Sequence, residues 1–147
     1  KREEMDTNSL PNVTLKTIMD KSAKYDRLSY QYSTGYSDIL GFIVPRIMEH
    51  KKYIENTDFL LSLVFLEILG EIPDTHISRK FNEKIAKKTS NEARDLIKII
   101  NTERSRKRAI SRICQLDYEY KNKGINPGTT ADLLLSGVMI ERLLRSD

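Results

Sequence analysis

Cysteine, proline and glycine are all scarce in this sequence, and each scarcity excludes a class of structure. A single cysteine in 147 residues excludes an internal disulfide bond and any metal site built from a cysteine cluster. Four prolines and six glycines leave long uninterrupted stretches of charged and apolar residues, which favour helices. The cysteine itself, Cys114, lies in an apolar and charged stretch, so we expect a small buried residue rather than a nucleophile.

Long hydrophobic runs are also missing. The longest, 59–69, is shorter than the roughly 20 apolar residues of a membrane-spanning helix and contains Glu67. No signal peptide is recognisable, so we expect a cytoplasmic protein. The charged stretch 1–6 does not resemble a native start, and we expect the chain to be part of a longer protein.

The composition is that of one globular domain large enough to bury a core. Hydrophobic residues make up 39% of the chain and charged residues 31%. Lys and Arg number 25 against 21 Asp and Glu, and this small positive excess suits an anionic ligand. We expect residues 1–12 to form a tail or linker and 13–147 a single helical domain.

Apolar residues recur at helical spacing and no alternating strand pattern is present, so we predict an all-α fold: a compact domain of about six or seven helices. The stretch 59–69 is apolar nearly all round and is expected at the buried centre, with Gly70 ending its helix. Ser90 is expected to start a new helix after one that ends near Lys88. The other predicted helices cover 14–23, 25–47 with an interruption at Gly35, 102–121, and 129–145. Pro45, in the second part of 25–47, is expected either to kink the helix or to mark its early turns.

A turn at 124–128 runs directly into a threonine pair, an aspartate and an apolar helix. Pro127 fixes one backbone dihedral, and Gly128 permits conformations closed to other residues. Thr129 precedes Asp132 by three positions, the spacing of a capping-box variant. Taken alone, the turn indicates a well-capped core helix; the same helix start is equally able to offer backbone N–H groups to a phosphate.

Three stretches together resemble the C-terminal half of the triphosphoribosyl-dephospho-CoA synthase family, in its archaeal-type form. They are the tyrosine- and aspartate-bearing segment 25–36, the Asp-Thr-His-Ile-Ser-Arg-Lys segment 74–80, and the segment 116–134 with its Asn-Pro-Gly-Thr-Thr-Ala-Asp-Leu ending. Two positions depart from the family pattern: His76 replaces a common Asn, and 80–81 replaces a common glycine pair. Full-length members contain a further N-terminal half, so we expect activity of the full-length protein.

The resemblance implies a transferase that joins ATP to 3′-dephospho-CoA. A ribose hydroxyl of dephospho-CoA attacks the anomeric carbon of the ATP ribose, and adenine leaves. Carboxylates near that carbon would stabilise the developing positive charge, and one would take the hydroxyl proton. ATP is thus a substrate, and Mg²⁺ is the expected cofactor, held by carboxylates while Lys or Arg bind the phosphates.

The resemblance also implies roles for particular residues. Asp74 and Asp132 are the expected catalytic carboxylates and Mg²⁺ ligands; the alternative is that each caps a helix. Tyr25 and Asp26 are expected to line the same pocket, and the alternative for the tyrosines is a place in the core or an interface. The expected nucleotide- and phosphate-binding residues are Thr75, His76, Arg79, Asn126, Gly128, Thr129 and Thr130.

A basic run at 103–108, followed by Arg112, favours a second interpretation. It would make the chain a non-catalytic helical module for nucleotide or nucleic-acid binding or for assembly. On a helix, however, Arg104, Lys107 and Arg108 share one side, which is typical of a solvated face, and no aromatic side chains interleave with them. Nucleic acid is therefore not the expected partner; a missing N-terminal half or a second subunit is.

Overall fold

The computed structural model describes residues 13–145, so the predicted tail 1–12 lies outside the described residues. Within 13–145 the chain forms helices and no β-strand, which confirms the all-α prediction. The helices are α1 (Leu15–Ser22), α2 (Arg27–Thr34), a π-helical segment (Ile39–Ile43), α3 (Val44–His50), α4 (Thr57–Glu71), α5 (Thr75–Lys80), α6 (Glu83–Thr102), α7 (Arg106–Asn122) and α8 (Gly128–Leu144).

Eight α-helices in the described part of the chain exceed the predicted six or seven, because a left-handed turn separates α2 from α3. Gly35 follows α2 with φ of 67°, and Tyr36 has φ of 64°. Two successive residues in this region cannot continue a right-handed helix. Pro45 lies in the first turn of α3, directly after the π-helical segment, which agrees with one of the two predicted alternatives.

The boundary between α5 and α6 differs from the prediction. Asn82 caps α6 by accepting a hydrogen bond from the Ile85 N–H at 2.9 Å, and the helix then continues past Ser90. The predicted helix start at Ser90 is wrong because this side chain is fully buried and donates back to the Ala86 carbonyl at 3.1 Å. Such bonding to the preceding turn lets a serine remain inside a helix.

Helix α4 is the centre of the fold, as expected. One apolar cluster joins it to the π-helical segment, α3 and α8, and a second joins it to α6 and α7. Gly70 does not end the helix, which runs on to Glu71; a Cβ atom at Gly70 would lie 3.0 Å from Arg94 Cγ, so the glycine permits close approach of α6. The carboxylate in this apolar helix, Glu67, accepts from Arg46 Nε at 3.1 Å, and this hydrogen bonding raises the pKa of Arg46.

Helix α7 is less buried than its sequence suggests. Only Ala109 and Tyr120 are buried, while Ile110 is 41% exposed. Cys114 is exposed, so the prediction of a buried cysteine is wrong. The reason is that α7 contacts the core through a narrow strip of the helix surface, and Cys114 lies beside that strip. No helix formed by residues 13–145 is long and apolar enough to cross a bilayer.

Candidate functional site

One buried carboxylate holds the first turns of two helices together. Asp74 Oδ1 accepts from the N–H groups of His76 at 2.9 Å and Ile77 at 3.0 Å, at the start of α5. Its Oδ2 accepts from the N–H and the hydroxyl of Thr130, both at 2.8 Å, at the start of α8. A carboxylate has about four lone-pair positions, and donors from the protein occupy all of them. The geometry therefore favours the capping alternative for Asp74, which is 1% exposed.

The predicted capping box of α8 is wrong. Pro127 occupies the N-cap position without a side-chain hydrogen bond, and Asp132 is exposed with no side-chain hydrogen-bond partner among residues 13–145. Thr129 instead accepts from the His76 N–H at 3.1 Å, and its hydroxyl lies 3.0 Å from that of Thr75. Because α5 lies against the start of α8, the threonine bonds to its neighbour rather than within its own helix.

The start of α2 joins the same cluster. The Arg27 N–H donates to the Thr75 hydroxyl at 3.2 Å. Asp26 caps α2 through Oδ2, which accepts from the N–H and the hydroxyl of Ser29 at 3.1 and 2.7 Å. Its other oxygen, Oδ1, lies 3.3 Å from Arg79 Nη1 on α5. The three sequence stretches that carry the family resemblance thus meet at one place.

Only some of the predicted phosphate-binding side chains remain accessible there. Arg79 is 46% exposed along its side chain, and His76 is half-buried. The His76 ring lies against Gly128, where an added Cβ atom would be 3.5 Å from the ring Cγ, an ordinary contact distance. Thr129 and Thr130 are 3% and 1% exposed, and their hydroxyls are already engaged.

The remaining predicted residues lie at the margins of this cluster. Asn126 is exposed on the turn before α8 and faces a groove beside α7. Tyr25 is 66% exposed and has Lys24 Nζ 4.7 Å from its ring centroid. Tyr32 and Tyr36 are 56% and 40% exposed, so the alternative of core tyrosines is wrong for these three residues.

Sequence reasoning missed two basic residues in this cluster. Lys80 Nζ donates to the Gly124 carbonyl at 3.0 Å and connects α5 to the turn before α8. Arg27 binds Asp38 through Nε at 2.7 Å and Nη2 at 2.9 Å, which fixes α2 against the following segment. Both residues lie inside the stretches that resemble the family, and this position could have marked them as site residues.

The described residues do not build a magnesium cage. Residues 13–145 contain no group of three or more His, Cys, Asp or Glu side chains that could hold a metal ion. Asp74 has no lone pair left for a ligand, and Asp132 stands alone at the surface. These two carboxylates therefore do not fit a shared metal site.

Comparison with known families identifies the chain. The model of the CitG family, described as ATP:dephospho-CoA triphosphoribosyl transferase, matches residues 1–147. No curated protein and no solved structure matches the chain significantly. The family match covers all three stretches that meet at the starts of α2, α5 and α8. The chain therefore belongs to the CitG family, whose activity is triphosphoribosyl transfer from ATP to dephospho-CoA.

Proposed function

We propose that the cluster at the starts of α2, α5 and α8 binds the sugar and triphosphate of ATP during triphosphoribosyl transfer. One observation supports this most strongly: three segments separated by about 50 residues converge through direct hydrogen bonds. Each belongs to a stretch that resembles the transferase family. Local helix capping needs no such convergence, since each helix could be capped by its own residues.

The reaction exchanges one bond at the ribose for another. The glycosidic C–N bond to adenine breaks, a C–O bond to the acceptor hydroxyl forms, and the hydroxyl proton balances the nitrogen that leaves with adenine. Positive charge develops on the ribose as the C–N bond lengthens. A carboxylate in contact with the ribose stabilises that charge, and a base within hydrogen-bond reach of the hydroxyl accelerates the attack.

Asp26 is the carboxylate best placed for this role. Among residues 13–145, its Oδ1 is engaged only by Arg79 at 3.3 Å, a long hydrogen bond that a substrate can replace. The Asp26 side chain is 22% exposed, whereas the oxygens of Asp74 are buried and fully engaged. We therefore assign Asp26 to the ribose and Asp74 to positioning α5 and α8; Asp132 is kept as a second candidate carboxylate.

Arg79, His76 and Lys80 are the groups that we assign to the phosphates. All three belong to α5, whose first turn is fixed by Asp74. The guanidinium of Arg79 offers paired donors that match phosphate oxygens, and Lys80 adds a second positive charge. Displacement of Arg79 from Asp26 by a phosphate would also free the carboxylate for the ribose, so the two roles support each other.

Several finer expectations stay predictions. They are the archaeal-type C-terminal half, the cytoplasmic location and Mg²⁺, which we expect to enter on the triphosphate with Asp132 as its available carboxylate. No described feature favours the non-catalytic alternative. In the basic run, Arg108 lies 3.8 Å from Glu103, and the Arg106 guanidinium lies 5.7 Å from the Phe59 ring centroid.

Adenine release tests the proposed function. The purified protein is incubated with ATP, Mg²⁺ and 3′-dephospho-CoA, and products are separated by chromatography and identified by mass spectrometry. We expect free adenine together with an acceptor heavier by one triphosphoribosyl group. Release of ADP in place of adenine, or an acceptor of unchanged mass with a folded protein, would contradict the proposal.

A further inference from the structure

A large apolar groove lies beside the cluster, between α4 and α7. Its volume is about 770 Å³. Phe65 and Leu69 of α4 face Leu116 of α7 across it, and Ile125 belongs to the turn that borders it. Polar side chains also line it, namely Ser62, Asn126 and the ion pair of Asp117 and Lys121, whose Oδ2 and Nζ are 2.6 Å apart. An elongated ligand with both apolar and polar parts would match this lining.

The groove and the cluster share one wall. Residues 124–127 line the groove, and the next residue, Gly128, lies beneath the His76 ring. Lys80, from the cluster side, donates to the Gly124 carbonyl on the same turn at 3.0 Å. A ligand that crosses this turn would therefore contact both the groove and the cluster. Lys80 and Lys121 would lie close to the part of the ligand that crosses the turn.

We propose that this groove holds the pantetheine arm of dephospho-CoA, with its thiol end towards Cys114. The inference rests on the proposed function, since the acceptor ribose must lie at the cluster. The arm contains a dimethyl carbon, two amides and a thiol, and thus alternates between apolar and polar parts. The diphosphate that joins it to the ribose then lies near Lys121, which lines the groove and carries the opposite charge.

The length of the pantetheine arm agrees with the length of α7 along the groove. From Cys114 to the end of α7 at Asn122 the chain advances about 12 Å, at 1.5 Å per residue. The arm has about as many chain bonds as four amino-acid residues and extends to about 14 Å. A diphosphate at the turn therefore places the thiol at Cys114, which is exposed and lines the groove.

Disulfide trapping tests this placement without relying on catalysis. Cys114 is the only cysteine of the chain, and its thiolate attacks a symmetrical disulfide to give a mixed disulfide and one free thiol. The probes are pantethine, the disulfide of pantetheine, and hydroxyethyl disulfide; both are uncharged, so the basic residues of α7 affect them alike. We expect pantethine to react about tenfold faster, with a rate that saturates with concentration, because binding brings its sulfur to Cys114.

A displaced cysteine provides the matched control. In Cys114→Ser combined with Ser111→Cys, the thiol is on the same helix and exposed but does not line the groove. The two probes should label this variant at equal rates. Equal rates at Cys114 as well, or an equal preference for pantethine at both positions, would overturn the proposal. Because labelling needs no turnover, a protein without transferase activity that still shows the preference would contradict the proposed function and leave the groove assignment standing.

A bulky substitution at Cys114 tests the same placement by enzyme kinetics. Cys114→Trp fills the thiol end of the groove from an exposed position, so the fold should tolerate it. We expect the KM for dephospho-CoA to rise about fivefold or more while the KM for ATP is unchanged. Ser111→Trp serves as the control and should change neither value. An unchanged dephospho-CoA KM in Cys114→Trp would contradict the placement.

Discussion

Replacement of Asp74 by alanine should cost several times more stability than loss of an ordinary helix cap. The carboxylate accepts from three backbone N–H groups and one hydroxyl, on two helices. After Asp74→Ala, the His76 N–H keeps Thr129 Oγ1 as an acceptor at 3.1 Å. The N–H groups of Ile77 and Thr130 and the hydroxyl of Thr130 lose their acceptor while both residues stay buried.

The magnitude follows mainly from the two orphaned N–H groups, because the Thr130 hydroxyl can rotate towards another acceptor. A buried N–H without a partner costs about 1–3 kcal/mol, so we expect Asp74→Ala to lower the free energy of unfolding by about 4 kcal/mol. Asp74→Asn should cost about half as much, because asparagine is a good N-cap and its one oxygen still serves one helix start. A typical domain is stable by about 5–15 kcal/mol, so the variants should remain folded at 25 °C.

Asn82 provides the matched control. It caps α6 through one hydrogen bond to the Ile85 N–H at 2.9 Å, and Asn82→Ala should cost about 1 kcal/mol. Urea unfolding followed by far-UV circular dichroism gives all three values, provided that the slopes agree with the unaltered protein. A cost for Asp74→Ala no larger than that for Asn82→Ala would show that Asp74 does not hold two helix starts together. If, in addition, folded Asp74→Asn released no adenine, Asp74 would be a catalytic residue, as the family resemblance implies.

Two further predictions concern the core. Burial, and to a smaller extent Glu92, raises the pKa of Tyr120 well above its ordinary value. At high pH the folded protein therefore keeps this proton while the unfolded chain loses it. The stability that Tyr120 contributes is thus present below a pH of about 10 and falls as the pH rises further. Tyr120→Phe should reduce this alkaline loss in urea titrations at a series of pH values, and an unchanged loss would contradict the assignment. Gly137→Ala should lower the free energy of unfolding by about 1–3 kcal/mol, because a Cβ atom there would lie 2.5 Å from Ile43 Cγ2. Gly41→Ala, with no heavy atom within 4 Å of the added carbon, should instead stabilise the protein by about 0.5–1 kcal/mol; equal effects in thermal unfolding would contradict the packing argument.

Local signals predicted the helices well and the site only in part. The apolar stretch 59–69 marked the central helix, and Pro45 marked the start of α3, because both depend on properties of nearby residues. The boundary at Ser90 was wrong because a buried serine can bond to the preceding turn, and only tertiary packing reveals that it is buried.

The residues of the site were likewise hard to predict, because their partners come from distant parts of the chain. Thr129 and Asp132 have the spacing of a cap, yet α8 is capped by Asp74, 56 residues earlier in the chain. Cys114 proved exposed because the groove leaves one side of α7 uncovered, which helical periodicity does not show. The family resemblance selected the three segments correctly as neighbours, but the hydrogen bonds that occupy Asp74 were visible only in three dimensions.

We have assigned Asp26 to the ribose and Asp74 to the positioning of α5 and α8. The most direct measurement is the rate of adenine release by Asp26→Asn at saturating ATP and dephospho-CoA, with urea stability measured on the same sample. The control is Asp95→Asn, an exposed aspartate on α6 whose side chain is 68% exposed. We predict that Asp26→Asn lowers kcat by about 100-fold or more with little change in stability, because one charge facing the transition state is removed. Asparagine is a comparable N-cap, so α2 should keep its start. A kcat equal to that of Asp95→Asn would contradict the account and return the catalytic role to Asp74 or Asp132.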